Sequence, residues 1–219
     1  MILNKTKSRL AKKVLRMVSE WSALGDSETR QFGNNVRVSP NVLVDKSVTI
    51  GPNTYINGPD TQVFSGTIGA FCSIAWGVTI GPDEHPIRAV STHPFWYDET
   101  EWCPTEAQWK QQKPVPFIGN DVWIGCNATI TRGAIIHDGA VIGAGSIVLG
   151  EVPAYAVVVG CPAQVIKYRF PEAVRNAIRQ SKWWEWDEAT LLSRLNWFQD
   201  PYEFLNRVNS QVASSRASD

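Results

Sequence analysis

The chain has 219 residues, enough for one main core with helical additions at its ends, and its 21 basic and 21 acidic side chains cancel to a formal net charge of zero. No whole-molecule field draws it to nucleic acid or anionic lipid, so neither is an expected partner. The cysteines at 72, 103, 126 and 161 are too scattered for a zinc ribbon or a disulfide scaffold, and a reducing cytoplasm is the expected compartment.

Residues 1–33 open with a basic stretch in which Leu10, Val14, Met17, Val18 and Trp21 fall at helical spacing, which predicts an N-terminal helical segment. Arg16 and Glu20 interrupt it, so it reads neither as a signal sequence nor as a membrane span. From Val36 the chain counts in sixes: Val38, Val44, Ile50 and Ile56, then after a slip near "NGPDTQVFSG" Ile68, Ile74 and Ile80. The series returns at Ile118, Ile124, Ile130, Ile136, Ile142 and Val148, with a small residue two places before most of these positions. A helix repeats near 3.6 and a paired strand at 2, whereas a period of six predicts a parallel β-helix, here over residues 34–170. Each short strand puts one aliphatic side chain inside a prism, and small residues fill the corners. Gly51, Gly69, Gly81, Gly119, Gly125 and Gly143 follow the aliphatic positions and are expected where turns demand unusual backbone angles.

The count stops from about Asp83 to Val115, a loop far beyond ordinary connection length that carries His85 and His93, two of the three histidines. Its segment "HPFWYDETEWCP" has the composition of a loop packed on a neighbour or a ligand rather than of disorder. Residues 171–209, "PEAVRNAIRQSKWWEWDEATLLSRLNWF" and beyond, predict a helical cap over one open end of the stack, with 210–219 as a flexible tail. Trp183, Trp184 and Trp186 followed by Leu191, Leu192, Leu195, Trp197 and Phe198 fit the inside of that cap better than a stacking platform for sugar or nucleic acid.

The run "IGNDVWIGCNATITRGAIIHDGAVIGAGSIVLGEVPAYAVVVGCPAQVIKYRF" resembles the hexapeptide-repeat acyltransferases, and the tail "RFPEAVRNAIRQSKWWEWDEATL" is similar to their xenobiotic acetyltransferase subgroup, which includes chloramphenicol and streptogramin acetyltransferases. The resemblance spans roughly residues 34–197. It implies a mainly β fold, a left-handed parallel β-helix with a long inserted loop, an N-terminal helix and a C-terminal helical cap. The handedness comes from the family, since the general rule favours right-handed crossovers. It also implies homotrimers with active sites between subunits, acetyl-CoA as cosubstrate and no metal.

By resemblance the histidine that ends "GPDEH", His85, matches the family's general base. Imidazole ordinarily titrates near neutrality, so a neutral ring there can take a hydroxyl proton as the oxygen attacks the thioester. His93 is open between binding the acceptor and assisting His85, and Asp83 and Glu84 between flanking the base and lying in solvent. Tyr55 and Trp76 are candidates for the acceptor side, with ordinary packing as the alternative. By resemblance Trp123 lies beside the base and the pantetheine, with an outward strand aromatic as the alternative, and Lys167 matches a phosphate-binding position. Gly143 and Ala144, with Gly125 and Cys126 on the preceding coil, are small enough for the pantetheine to approach the backbone, Cys126 being otherwise an ordinary small repeat residue. His137, at a repeat corner, is expected to be inert.

Two departures stand out. Relatives read threonine and lysine where this chain has Leu149, Gly150 and Glu151, so one polar contact and one phosphate charge are expected to be missing. The asparagine of galactoside acetyltransferases has no counterpart in "GAFCSIAWG". The leading expectation is O-acetylation of a saccharide in surface polysaccharide biosynthesis, because "STHPFW" resembles polysaccharide-modifying relatives. Acetylation of an antibiotic such as chloramphenicol or a streptogramin and N-acetylation of an amino sugar are alternatives. From other classes come a γ-type carbonic anhydrase, which needs three zinc-binding histidines, and a non-catalytic trimeric scaffold.

Overall fold

The structure, a computed structural model, describes residues 31–97, 109 and 112–216. The helical prediction for residues 1–33 lies almost wholly outside them. The rest of the chain winds into a parallel β-solenoid of three faces, in which every third strand returns to the same sheet. The first face stacks Gln31–Phe32, Thr49–Ile50, Thr67–Ile68, Phe117–Ile118, Ile135–Ile136 and Glu151–Val152. The second stacks Arg37–Val38, Tyr55–Ile56, Ser73–Ile74, Trp123–Ile124, Val141–Ile142 and Ala156–Gly160, with Ala163–Tyr168 added antiparallel at its end. The third stacks Leu43–Val44, Gln62–Val63, Thr79–Ile80, Thr129–Ile130 and Ile147–Val148.

Most strands are two residues long, so the first side chain points out and the second in. The inward set forms the predicted ladders: Ile50, Ile68, Ile118 and Ile136 on one face, Ile56, Ile74, Ile124 and Ile142 on the next, each at most 1% exposed. Thr49 pairs with Thr67 and Phe117 with Ile135, so a turn takes 18 residues and identical positions stack. The small residues two places earlier, among them Val122, Ala128, Ala134, Ala140 and Ser146, are buried in the corners. The slip at "NGPDTQVFSG" adds one residue at one corner and removes one at the next. Leu43 accordingly pairs with Gln62, and Gln62 with Thr79, without breaking the ladder of Val44, Val63 and Ile80.

The glycines hold their places for a different reason from the predicted one. Of the six named above only Gly81 has a positive φ, 62°. A Cβ on Gly69 would lie 2.5 Å from the Gly119 carbonyl oxygen, and one on Gly125 would lie 2.6 Å from the Ala144 nitrogen, so these positions are small because successive turns touch there. The left-handed corners fall to other glycines, Gly77, Gly133, Gly139 and Gly145, to Asn35, Asn41, Asn53, Asp121 and Asn127, side chains that tolerate that conformation, and to Phe71 and Tyr155.

After the last turn come three helices, α1 (Glu172–Ser181), α2 (Glu188–Ser193) and α3 (Pro201–Arg216). Helix α1 buries Val174, Ala177 and Ile178, a single face, and ends at Lys182 in the left-handed conformation. Asp187 caps α2 by accepting from the Thr190 amide at 2.7 Å. Helix α3 continues past residue 209 into the stretch read as a tail. The helical region packs along one edge of the prism. Its core of Val174, Ile178, Trp183, Phe204 and Val208 closes on Tyr155 and Phe71, which belong to the edge between the first and second faces. Trp183 meets Phe71 at 4.8 Å between ring centroids, and Arg169 donates to Asp121 at 3.0 Å and to the Gly139 carbonyl at 2.8 Å along the same edge. Burial pushes the Asp121 carboxyl above its ordinary range while Arg169 pulls the other way. Among the described residues no helix is long and apolar enough to cross a membrane.

Candidate active site

The three edges of the prism carry different chemistry. The helical region occupies the first. The second, between the second and third faces, is a column of small residues. The third, between the third and first faces, is where the chain leaves the prism after Ile80 and returns at Phe117.

Two ion pairs hold the base of that excursion. Arg132, at the same edge on a later turn, donates to Asp83 at 2.9 Å. Glu84 takes the backbone N–H of Lys113 at 2.9 Å on one oxygen and its ammonium at 3.0 Å on the other. The amide of Lys113 above all, and then its charge, holds the Glu84 carboxyl below the ordinary range. With both oxygens engaged, Glu84 is a clasp across the neck of the loop rather than a group presented to an acceptor, and Asp83 does the same through Arg132.

His85 is exposed just past the clasp, and its Nδ1 lies 2.8 Å from the Thr92 carbonyl oxygen. A carbonyl only accepts, so Nδ1 carries the proton and the neutral ring keeps a bare lone pair on Nε2. Tyr97, 8% exposed, sets its hydroxyl 3.0 Å from that Nδ1 and donates to the same carbonyl at 3.3 Å. The Tyr97 ring meets Trp96 at 5.1 Å and Trp109 at 5.4 Å, both edge-on, and Trp96 Nε1 donates to the Ser91 carbonyl at 2.9 Å. Sequence reasoning missed Tyr97. Its only signal is an aromatic in an aromatic-rich loop. His93 precedes the short 3-10 turn Pro94–Trp96 and its Nδ1 accepts the Phe95 amide at 3.1 Å. One backbone group thus holds each ring at Nδ1, the Thr92 carbonyl at His85 and the Phe95 amide at His93, with the Tyr97 hydroxyl added at His85.

The other predicted residues gather elsewhere. Tyr55 and Trp123 project from the second face, on strands that flank Ser73–Ile74 in the stack, and are 42% and 57% exposed. Trp76, Cys126 and Ala144 stack on consecutive turns of the second edge, tied by Asn127 N to Trp76 O at 3.1 Å and Gly145 N to Cys126 O at 2.8 Å. Gly125 and Gly143 sit in the same column, and exposed Lys167 pairs with Val157 where the second face ends. Eight predicted residues thus gather in one strip, exposed at Tyr55, Trp76, Trp123, Ala144 and Lys167, half-buried at Cys126 and Gly143, and buried at Gly125. It does not meet His85: the second face lies opposite the third edge, and the second edge is separated from it by the width of the third face.

The Cys72 thiol, bonded to the Gly119 carbonyl at 3.1 Å inside the prism, is pushed by burial up to about 12 and stays protonated. His137 Nε2 donates to the Glu151 carboxylate at 2.7 Å, so that glutamate has a partner on the same side of the prism. Among the described residues no three His, Cys, Asp or Glu side chains converge as metal ligands do. A cavity of about 170 Å³ lies under the helices, lined by Asp121, Arg169, Tyr155, Trp183 and Phe204 among others. It is on the first edge and contains no histidine, so the chemistry points to the loop instead.

Residues 116–150 match the family described as bacterial transferase hexapeptide (six repeats). The chain is 40% identical over 123 residues to a chloramphenicol acetyltransferase of Morganella morganii, a match covering 54% of this chain and 59% of that protein. It is 37% identical over 135 residues to a probable macrolide acetyltransferase of Lysinibacillus sphaericus, covering 58% and 73%. Among solved structures, the hexapeptide-repeat acetyltransferase VCA0836 of Vibrio cholerae O1 biovar eltor in complex with acetyl coenzyme A is similar with a TM-score of 0.51 and 25% identity, over 66% of this chain and 74% of that one. The chain spans about three fifths of the length of the first curated relatives it matches.

Proposed function

The chain belongs to the bacterial hexapeptide-repeat transferases, and from that premise we propose that it transfers acetyl from acetyl-CoA to a hydroxyl group, with His85 as the general base. The observation that carries this reading is the pinned imidazole: Nδ1 is committed to the Thr92 carbonyl at 2.8 Å, which leaves Nε2 as the lone pair that faces outward chemistry. In the proposed step Nε2 takes the proton of the acceptor hydroxyl as its oxygen attacks the thioester carbonyl. The new C–O bond forms, the C–S bond breaks, and the CoA sulfur leaves with the proton that His85 returns. No covalent enzyme intermediate enters, and the buried, protonated Cys72 is no nucleophile.

Acetyl-CoA is assigned to the strip on the second face and edge, with Trp123, Gly125, Cys126, Gly143 and Ala144 along the pantetheine and Lys167 toward a phosphate. Tyr55 and Trp76 extend the strip toward the acceptor. Because His85 lies at a different edge from this strip, one chain supplies the base and a neighbouring copy the groove, which supports a homotrimer with shared sites. The relative solved with acetyl coenzyme A supports the choice of cosubstrate.

The leading acceptor is a saccharide hydroxyl, supported by the "STHPFW" segment. The second reading, an antibiotic hydroxyl, is favoured by the chloramphenicol and macrolide acetyltransferases among the relatives. The test is a thiol-release assay with acetyl-CoA against sugars, amino sugars, chloramphenicol, macrolides and streptogramins, run with His85→Ala in parallel. Turnover of one acceptor that vanishes in the variant supports the reading, and full turnover in a folded variant overturns the role of His85.

A further inference from the structure

The loop fixes its two histidines through backbone groups of opposite character. At His85 Nδ1 faces the Thr92 carbonyl at 2.8 Å, which has no hydrogen, and the Tyr97 hydroxyl at 3.0 Å, whose hydrogen goes to that same carbonyl, so the ring nitrogen is the donor. At His93 the partner of Nδ1 is the Phe95 amide, which has a hydrogen and no usable lone pair, so the ring nitrogen must be the acceptor. Ring tautomers are ordinarily a matter of assignment, because side-chain partners can swap roles. Backbone groups cannot swap.

From this we infer that the neutral rings are held in opposite tautomers, His85 with a bare Nε2 and His93 with an Nε2–H, and that His93 uses that hydrogen to bind an oxygen of the acceptor. The inference rests on the acetyltransferase reading for its acceptor half and on geometry alone for its tautomer half. The two rings belong to one small unit. The His85 ring is bonded to the residue that precedes His93, the His93 amide donates to the Ser91 hydroxyl at 3.1 Å, and the Tyr97 hydroxyl closes onto the same Thr92 carbonyl. His93 is exposed, so its outward nitrogen is available. A single loop thereby presents one acceptor and one donor to the same substrate. An oxygen-rich molecule such as a saccharide satisfies both: the attacking hydroxyl gives its proton to His85, and a neighbouring hydroxyl or ring oxygen accepts from His93. A general base alone leaves the acceptor free to rotate about the reacting oxygen, and a second contact removes that freedom.

Long-range proton–nitrogen spectra of the full-length protein labelled with 15N-histidine test the tautomers directly, in buffer of about pH 8.5, above the ordinary imidazole range. With three histidines in the chain, single substitutions assign each ring. The expected result is a protonated Nδ1 at His85 and a protonated Nε2 at His93. The same tautomer at both rings, or an even mixture at either, overturns the inference. Two substitutions then separate the donor from the cap: Asn and Asp at 93 both accept the Phe95 amide, and only Asn retains a donor. His93→Asp is expected to raise the acceptor KM about tenfold, the worth of a hydrogen bond lost to a buried partner, while His93→Asn stays within about threefold. The KM for acetyl-CoA and the thermal midpoint should be unchanged in both. Equal acceptor KM for wild type and His93→Asp overturns the contact. The spectra need no substrate, so they decide the tautomers even if the wild-type protein transfers no acetyl, in which case it is the acetyltransferase reading that falls.

Discussion

The second and third edges of the prism are built from the same repeat, yet one keeps the count and the other breaks it. Along the second, Trp76, Cys126 and Ala144 stack turn on turn, joined by backbone bonds from Asn127 to Trp76 and from Gly145 to Cys126. Along the third, the chain departs after Ile80, and what holds it is side-chain chemistry: Asp83 with Arg132, Glu84 with Lys113, Tyr97 and Thr92 with His85. Repetition makes a rigid groove that any extended ligand can follow. Interruption makes room for groups that must be individually aimed.

That contrast can be broken from either side, and the largest effect belongs to the interrupted edge. His85→Ala should lower acetyl transfer by about 10²–10⁴-fold, the usual worth of a positioned base, with circular dichroism and thermal midpoint unchanged. On the repetitive side, Ile130→Ala removes a fully buried rung and should cost about 2–5 kcal/mol in denaturant unfolding. Gly69→Ala should cost about 1–3 kcal/mol, because its methyl meets the Gly119 carbonyl and the stacked turns must part. A smaller effect is expected in acid. The Glu84 carboxyl is held below its unfolded value, so its clasp contributes above that value and is lost as pH falls through the folded one. Pepsin cleavage within residues 85–112 should accordingly rise below about pH 4, and Glu84→Gln should show the same rise at higher pH. No effect at all is expected for iodoacetamide at Cys72 in the native state, whereas exposed Cys161 should label.

The regular part of the molecule was legible in the sequence because a period of six has one physical meaning, and even the slip at "NGPDTQVFSG" fell where corner lengths change. The glycines were located but misread, since a residue kept small by the next turn looks in sequence like one kept small by its own backbone angle. The helical region was legible as amphipathic, but amphipathicity says that a face is covered, not what covers it; Phe71 and Tyr155, scattered through the repeat, proved to be its seat. In the loop, the motif marks His85 as a candidate base. Glu84 and Tyr97 could not be given their roles, because the partners that define them lie 29 and 12 residues away in a segment with no periodicity.

The central claim is that the base and the acetyl-CoA groove of one reaction belong to different edges of each chain and meet only between copies. Subunit complementation tests it most directly. His85→Ala subunits and subunits whose strip is blocked by Ala144→Trp are mixed, unfolded together and reassembled, and acetyl transfer is measured against each variant treated alone. Recovery of a substantial fraction of wild-type activity in the mixture is the predicted result, because some sites then join an intact His85 to an intact groove; a mixture no more active than its separate components would contradict the account.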